Sequence, residues 1–106
     1  MAYADATRVK TILTATGTKI DDSKVLQYCL MADNHINIDL TNVEITVPLP
    51  SPPVIVVDIA IALACAYFYK FESGDTITAE QSEKDWDDYF QAKYRRPKFV
   101  INNTLL

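Results

Sequence analysis

Two glycines, one histidine, two cysteines and one tryptophan are all that 106 residues contain of these types, and each scarcity removes a class of chemistry. Phosphate-cradling loops need closely spaced glycines, and Gly17 and Gly74 lie far apart. General acid–base or nucleophilic catalysis needs complementary groups held together, and His35 has no motif around it. It reads as a partly exposed packing or hydrogen-bonding residue beside an apolar stripe. Cys29 and Cys65 fall in separate apolar segments with no second pair at metal-ligand spacing, so both read as buried thiols in a reducing cytosol. Glu80, Glu83 and Asp87 share a helix face, but no calcium-loop spacing surrounds them, and carboxylates at a helix start are stabilising without any ligand. No enzymatic activity, no cofactor and no metal is therefore expected.

Other absences point the same way. The start, Met1-Ala2-Tyr3-Ala4-Asp5, lacks the charge and long apolar stretch of an export signal, which makes the sequon Asn102-Asn103-Thr104 a chance match. No internal repeat or low-complexity stretch is visible. The formal net charge of −4 gives no general attraction to nucleic acid or anionic membranes.

What is present suits a small globular fold, since hydrophobic residues make up 49% and charged residues 23%. A chain of this size buries only about two thirds of its unfolded surface, so part of its apolar surface is expected to serve contacts with other copies.

The pattern predicts an all-α fold: four helices, a proline-rich extended arm between the second and third, and an extended tail. The helical domain is expected to span residues 1–97 and the tail 98–106. Asp5 caps a first helix over about 6–15, with Val9, Ile12 and Leu13 at helical spacing and Gly17 after its end. Ile20-Asp21 reads as staple and cap of a second helix reaching about Leu40, with the stripe Val25, Tyr28, Cys29, Ala32, Ile36 and Leu40. Between Thr41 and Pro53, Val43, Ile45 and Val47 alternate with polar residues, and Pro48, Pro50, Pro52 and Pro53 forbid a helix, so an extended arm or edge strand is expected.

The third helix runs from about Pro52 to Phe71, with Ser51 as cap and Pro52 at its first position. It is apolar nearly all round and must be covered on most sides. Its uninterrupted apolar run after Asp58 is only about a dozen residues where a bilayer needs roughly twenty, so a core helix is preferred to a membrane span. Ala60 with Ala64, and Ala62 with Ala66, form rows that admit close helix approach. Asp58 in that helix needs a partner or water, with Arg8, Lys10 and Lys24 as candidates. Ser73-Gly74-Asp75 breaks the chain, and Thr78-Ala79-Glu80-Gln81 reads as a capping box opening a fourth helix whose inner face is Trp86, Tyr89, Phe90 and the Lys93 stem or Tyr94. Pro97 ends it.

Two stretches carry a resemblance. Ala32-Asp33-Asn34-His35-Ile36-Asn37-Ile38-Asp39-Leu40 resembles the alanine, three residues, isoleucine-aspartate, then leucine segment of the head–tail connector proteins of tailed phages. Val57-Asp58-Ile59-Ala60, with Leu63 and Tyr67, resembles the aspartate-x-alanine helix that follows a proline-containing loop in that family. The resemblance spans about residues 5–94, and this chain departs from it at Asn37, where the family has aspartate. It implies a non-enzymatic virion protein, an adaptor or head-completion subunit at the head–tail junction that assembles in the host cytoplasm. Its implied partners are its own copies, in a ring expected as a dodecamer, the portal protein above, and a stopper or tail-completion protein below. DNA would pass the channel without sequence-specific binding, and no membrane is implied. Candidate interface residues are Val43, Ile45 and Val47 of the arm, Asp58, and Arg95, Arg96, Phe99, Ile101, Leu105 and Leu106 at the chain's end. An alternative from another class is a nucleic-acid-binding or regulatory module using the basic stretch Arg95 to Lys98.

Overall fold

A computed structural model describes residues 3–15, 17 and 19–95. Its elements are α1 (Ala6–Ala15), α2 (Asp22–Asn42), α3 (Val54–Ser73) and α4 (Thr76–Phe90), followed by a π-helical turn, Gln91–Arg95. The fold is all-helical, with no strand among the described residues. The expected tail, 98–106, lies outside the described residues.

The helix starts follow local chemistry. The Asp5 carboxylate accepts the Thr7 N–H at 2.9 Å, and the Asp21 carboxylate accepts that of Ser23 at 2.9 Å. Each satisfies a donor that has no partner within the helix. At the start of α4 the cap is Asp75 and not Thr78: Asp75 accepts the Thr78 N–H at 3.1 Å and the Thr78 hydroxyl at 2.7 Å. The expected capping box is displaced because the helix starts at Thr76, two residues before Thr78, so Thr78 lies inside the first turn and its own N–H is the one capped. Ser51 likewise makes no cap. Helix α3 begins at Val54 after Pro53, whose carbonyl accepts the N–H groups of Val56 and Val57.

Helix ends use left-handed residues. Gly17 (φ 80°) and Gly74 (φ 75°) follow α1 and α3, where glycine adopts this conformation without the Cβ clash of other residues. After α2 the same geometry falls on Glu44 (φ 65°). Its N–H reaches the Thr41 carbonyl at 3.0 Å and the Ile45 N–H reaches that of Leu40 at 3.0 Å, the paired bonds of a Schellman closure. Residues 43–53 are neither helix nor strand, and Val43, Ile45, Val47 and Leu49 are half-buried against the core while their neighbours face water. The alternation expected for an arm is thus present, without a strand to carry it.

Helix α3 packs against α1, α2 and α4. Ala60 and Ala64 are fully buried, so the row of small side chains brings backbones close; the second row splits, with Ala66 buried and Ala62 exposed. Around it lie Val9 and Leu13 from α1, Cys29, Ala32, Ile36 and Leu40 from α2, and Trp86 from α4, all fully buried. By length and composition α3 is long and apolar enough to cross a membrane, and half of its most apolar window is buried inside this bundle. Coverage is less complete than its composition suggests: Val54 is 76% exposed, and Ile55 and Phe71 about half. The α-helix of α4 stops at Phe90, and the wider turn that follows sets Tyr94 beside Tyr89 and Phe90, each pair with centroids 6.1 Å apart. Pro97, expected to end the helix, lies outside the described residues.

Glu44 adopts a conformation that costs a non-glycine residue about 1 kcal/mol. Glu44→Gly is expected to raise stability by up to about that amount, reduced by the extra backbone entropy of glycine in the unfolded chain. Urea titrations of the two proteins, followed by circular dichroism, check it.

Candidate functional site

The polar groups that organise the fold come from helix α2. Its apolar stripe contains Asp33, one turn from Cys29 and 3% exposed. A carboxylate there must be matched by donors, and two arrive from the segment before α1: the backbone N–H groups of Tyr3 at 3.1 Å and Ala4 at 2.8 Å. Tyr3 is itself buried, and its hydroxyl donates to Asn37 Oδ1 at 2.6 Å while accepting the Leu49 N–H at 3.0 Å. One short segment is thereby tied to α2 by three hydrogen bonds and to the chain after α2 by one. The Asn37 amide oxygen serves as an acceptor, as a carboxylate oxygen would.

A second cluster joins α2, α3 and α4. His35 Nδ1 lies 3.3 Å from the Tyr67 hydroxyl and 4.0 Å from Glu83 Oε2, and its Nε2 lies 3.8 Å from Asp39 Oδ2. Asp39 also accepts the indole N–H of the fully buried Trp86 at 2.7 Å. The histidine side chain is 32% exposed, in keeping with a hydrogen-bonding role at the edge of the core. Burial, with the nearby Glu83 carboxylate, raises the Tyr67 phenol pKa above its ordinary value. A third contact closes the far end: Glu72 accepts from Lys24 and from the Tyr28 hydroxyl, the latter at 2.6 Å. Both bonds, the lysine's first, hold the Glu72 carboxyl below its ordinary pKa. Burial and the Glu72 bond push Tyr28 up to about 12. The thiols of Cys29 and Cys65 are free and buried, and burial pushes both up to about 11.

The expected interface residues do not form one patch. Val43, Ile45 and Val47 lie half-buried on this chain's own core. Asp58 is about half exposed and meets Arg8 at 3.4 Å, a surface pair worth little to stability. Arg95 is exposed at the end of the π-helical turn, and Arg96, Phe99, Ile101, Leu105 and Leu106 lie outside the described residues. Asp33 and Tyr3 were not anticipated as organising residues. The signal was available, because Asp33 falls in the same stripe as Cys29 and Ile36, and the argument applied to Asp58 applies to it with more force. Exposed apolar side chains lie instead on α1 (Ile12, expected on its apolar stripe), on α2 (Leu26, Leu30, Ile38), at the start of α3 (Val54, Ile55) and around the turn into α4 (Phe71, Ile77). Among the described residues no group of three or more His, Cys, Asp and Glu side chains has an arrangement that could hold a metal ion.

These features define an all-helical bundle with exposed apolar positions. No protein family, curated protein or solved structure matches the chain.

Asp33→Ala leaves two buried N–H groups without their acceptor and is expected to cost about 2–3 kcal/mol, read as a lower urea midpoint. A second expectation concerns alkaline pH. A phenol whose folded pKa lies above its unfolded value contributes stability that is complete below the unfolded pKa and lost as pH rises through the folded one. For Tyr28 that window runs from 10.0 to about 12, and Tyr67 is shifted in the same direction. Tyrosinate absorbance of these phenols should therefore appear together with loss of the helical signal; ionisation complete by pH 10 with helix intact would contradict it.

Proposed function

We propose that this chain is a structural subunit of the head–tail junction of a tailed phage or prophage, an adaptor that forms a ring under the portal and docks a stopper or tail component. The observation that carries this reading is the pair of matched segments, Ala32–Leu40 and Val57–Ala60, on adjacent helices joined by the proline-containing connection. The first supplies Ala32, Ile36 and Leu40 to the core, and the second supplies Ala60 and the surface carboxylate Asp58. The all-helical fold is compatible with such a part. So are the exposed Val54 and Ile55, because a small domain that leaves large apolar side chains in water has surface suited to further contacts. A net charge of −4 suits a wall past which DNA moves without adhering.

Light scattering of the chain mixed with portal protein checks the reading. A complex with many copies per portal ring is expected, and no affinity for portal or tail components would end it. Deleting residues 98–106 is expected to leave the helical circular-dichroism signal intact while weakening that assembly. Salt-sensitive DNA binding, lost on Arg95→Ala with Arg96→Ala, would favour the nucleic-acid module instead.

A further inference from the structure

Among the described helices α3 alone begins without a side-chain cap. The Pro53 carbonyl takes the N–H groups of Val56 and Val57, and those of Val54 and Ile55 have no acceptor among the described residues. The side chains of the same two residues stand in water, 76% and 50% exposed. One helical turn thus presents bare donors and bare hydrocarbon side by side. The end of the bundle around it is acidic. Asp58 lies one turn further along α3, with Arg8 of α1 at 3.4 Å, and Glu44, just past the end of α2, makes no ion pair among the described residues.

The described chain stops at the same place. Helix α4 runs back along α3 after the turn at Gly74, and Tyr67 and Glu83 lie level across the two helices, both beside His35. Ile55 stands as far before Tyr67 as Arg95 stands after Glu83, so Arg95 is level with the first turn of α3. The residues that follow are Arg96-Pro97-Lys98-Phe99-Val100-Ile101. With Arg95 they supply three positive charges and then three apolar side chains, and Pro97 lacks the N–H that a continuing helix needs.

We infer that this segment lies across the start of α3 in its own chain, with Phe99 and Ile101 on Val54 and Ile55. In an extended stretch residues two apart share a face, so both can meet the helix while Val100 points away. Carbonyls of the segment then face the unsatisfied N–H groups of Val54 and Ile55, and the charges of Arg95, Arg96 and Lys98 remain at the rim beside Glu44 and Asp58. Reach selects the chain's own segment as the occupant. Four residues from Arg95 to Phe99 span up to about 13 Å, against the roughly 8–10 Å that separate the axes of packed helices. So small a contact holds separate molecules together poorly, whereas a tether this short keeps the segment at an effective concentration of roughly millimolar. In an assembly, a neighbouring subunit that takes over Val54 and Ile55 would release the segment for contacts of its own; that consequence rests on the head–tail junction reading, and the cover itself does not.

Two experiments on the full chain test it. Val54→Asp with Ile55→Asp changes two exposed positions in a first helical turn, where carboxylates suit the helix dipole, so the helical signal should be unchanged. Trypsin cleavage between Arg95 and Phe99, followed by mass spectrometry under native conditions, is expected to run at least tenfold faster in this variant than in the wild type. Equal rates overturn the cover. In the second, Val54→Cys with Ile101→Cys is oxidised by glutathione disulfide at low micromolar protein, beside Ile77→Cys with Ile101→Cys at the opposite end of α4; Cys29 and Cys65 are buried in both. An intrachain disulfide is expected at least tenfold faster for the pair with position 54. Equal rates for the two pairs, or a disulfide that joins two chains, overturns the proposal. Neither experiment involves portal protein, so failure here leaves the adaptor reading standing, and failure there leaves this one.

Discussion

The arrangement rests on one buried carboxylate. An ionised group in an apolar interior is tolerated only when donors surround it, and the donors that reach Asp33 belong to the backbone just before α1. That requirement fixes where the chain enters the bundle. With Tyr3 and Ala4 held against α2, α1 starts where Val9 and Leu13 can reach the core. The Tyr3 hydroxyl then passes the constraint on through Asn37 and the Leu49 N–H. Local packing on α2, entry of α1 and the course of residues 43–53 are therefore one coupled problem, and apolar burial alone would leave their relative register loose.

Much of the helical layout was legible in the sequence. The α1 span, the Asp21 cap, the α2 stripe and the break at Gly74 follow from 3.6-residue periodicity and from residues with strong local preferences, which act within a few positions of one another. The errors have local causes as well. Helix α4 starts at Thr76, so Asp75 rather than Thr78 holds the cap position and accepts the Thr78 N–H, and α3 starts at Val54, beyond Ser51, with Pro53 in the cap position. The polar networks were harder to read. They join residues about thirty or more positions apart, as in Tyr3 with Asp33 or Asp39 with Trp86, and a pattern along the chain does not reveal which distant group supplies a donor.

The candidate surface shows the same division. Periodicity identifies α3 as apolar all round, and half of its most apolar window is covered by the neighbouring helices. The remaining exposed apolar positions do not gather on α3. They are shared among α1, α2, the start of α3 and the turn into α4, which gives a small domain several modest contact faces rather than one large one.

Trp86 is the chain's single tryptophan, fully buried, with its indole N–H on the Asp39 carboxylate and Phe90 stacked beside it at 5.6 Å. Its ring thus sits on the seam by which α4 is held to the other helices. The intrinsic emission of the unmodified protein is consequently a site-specific optical gauge of that seam: detachment of α4 alone would shift the fluorescence to the red while most of the helical ellipticity remained.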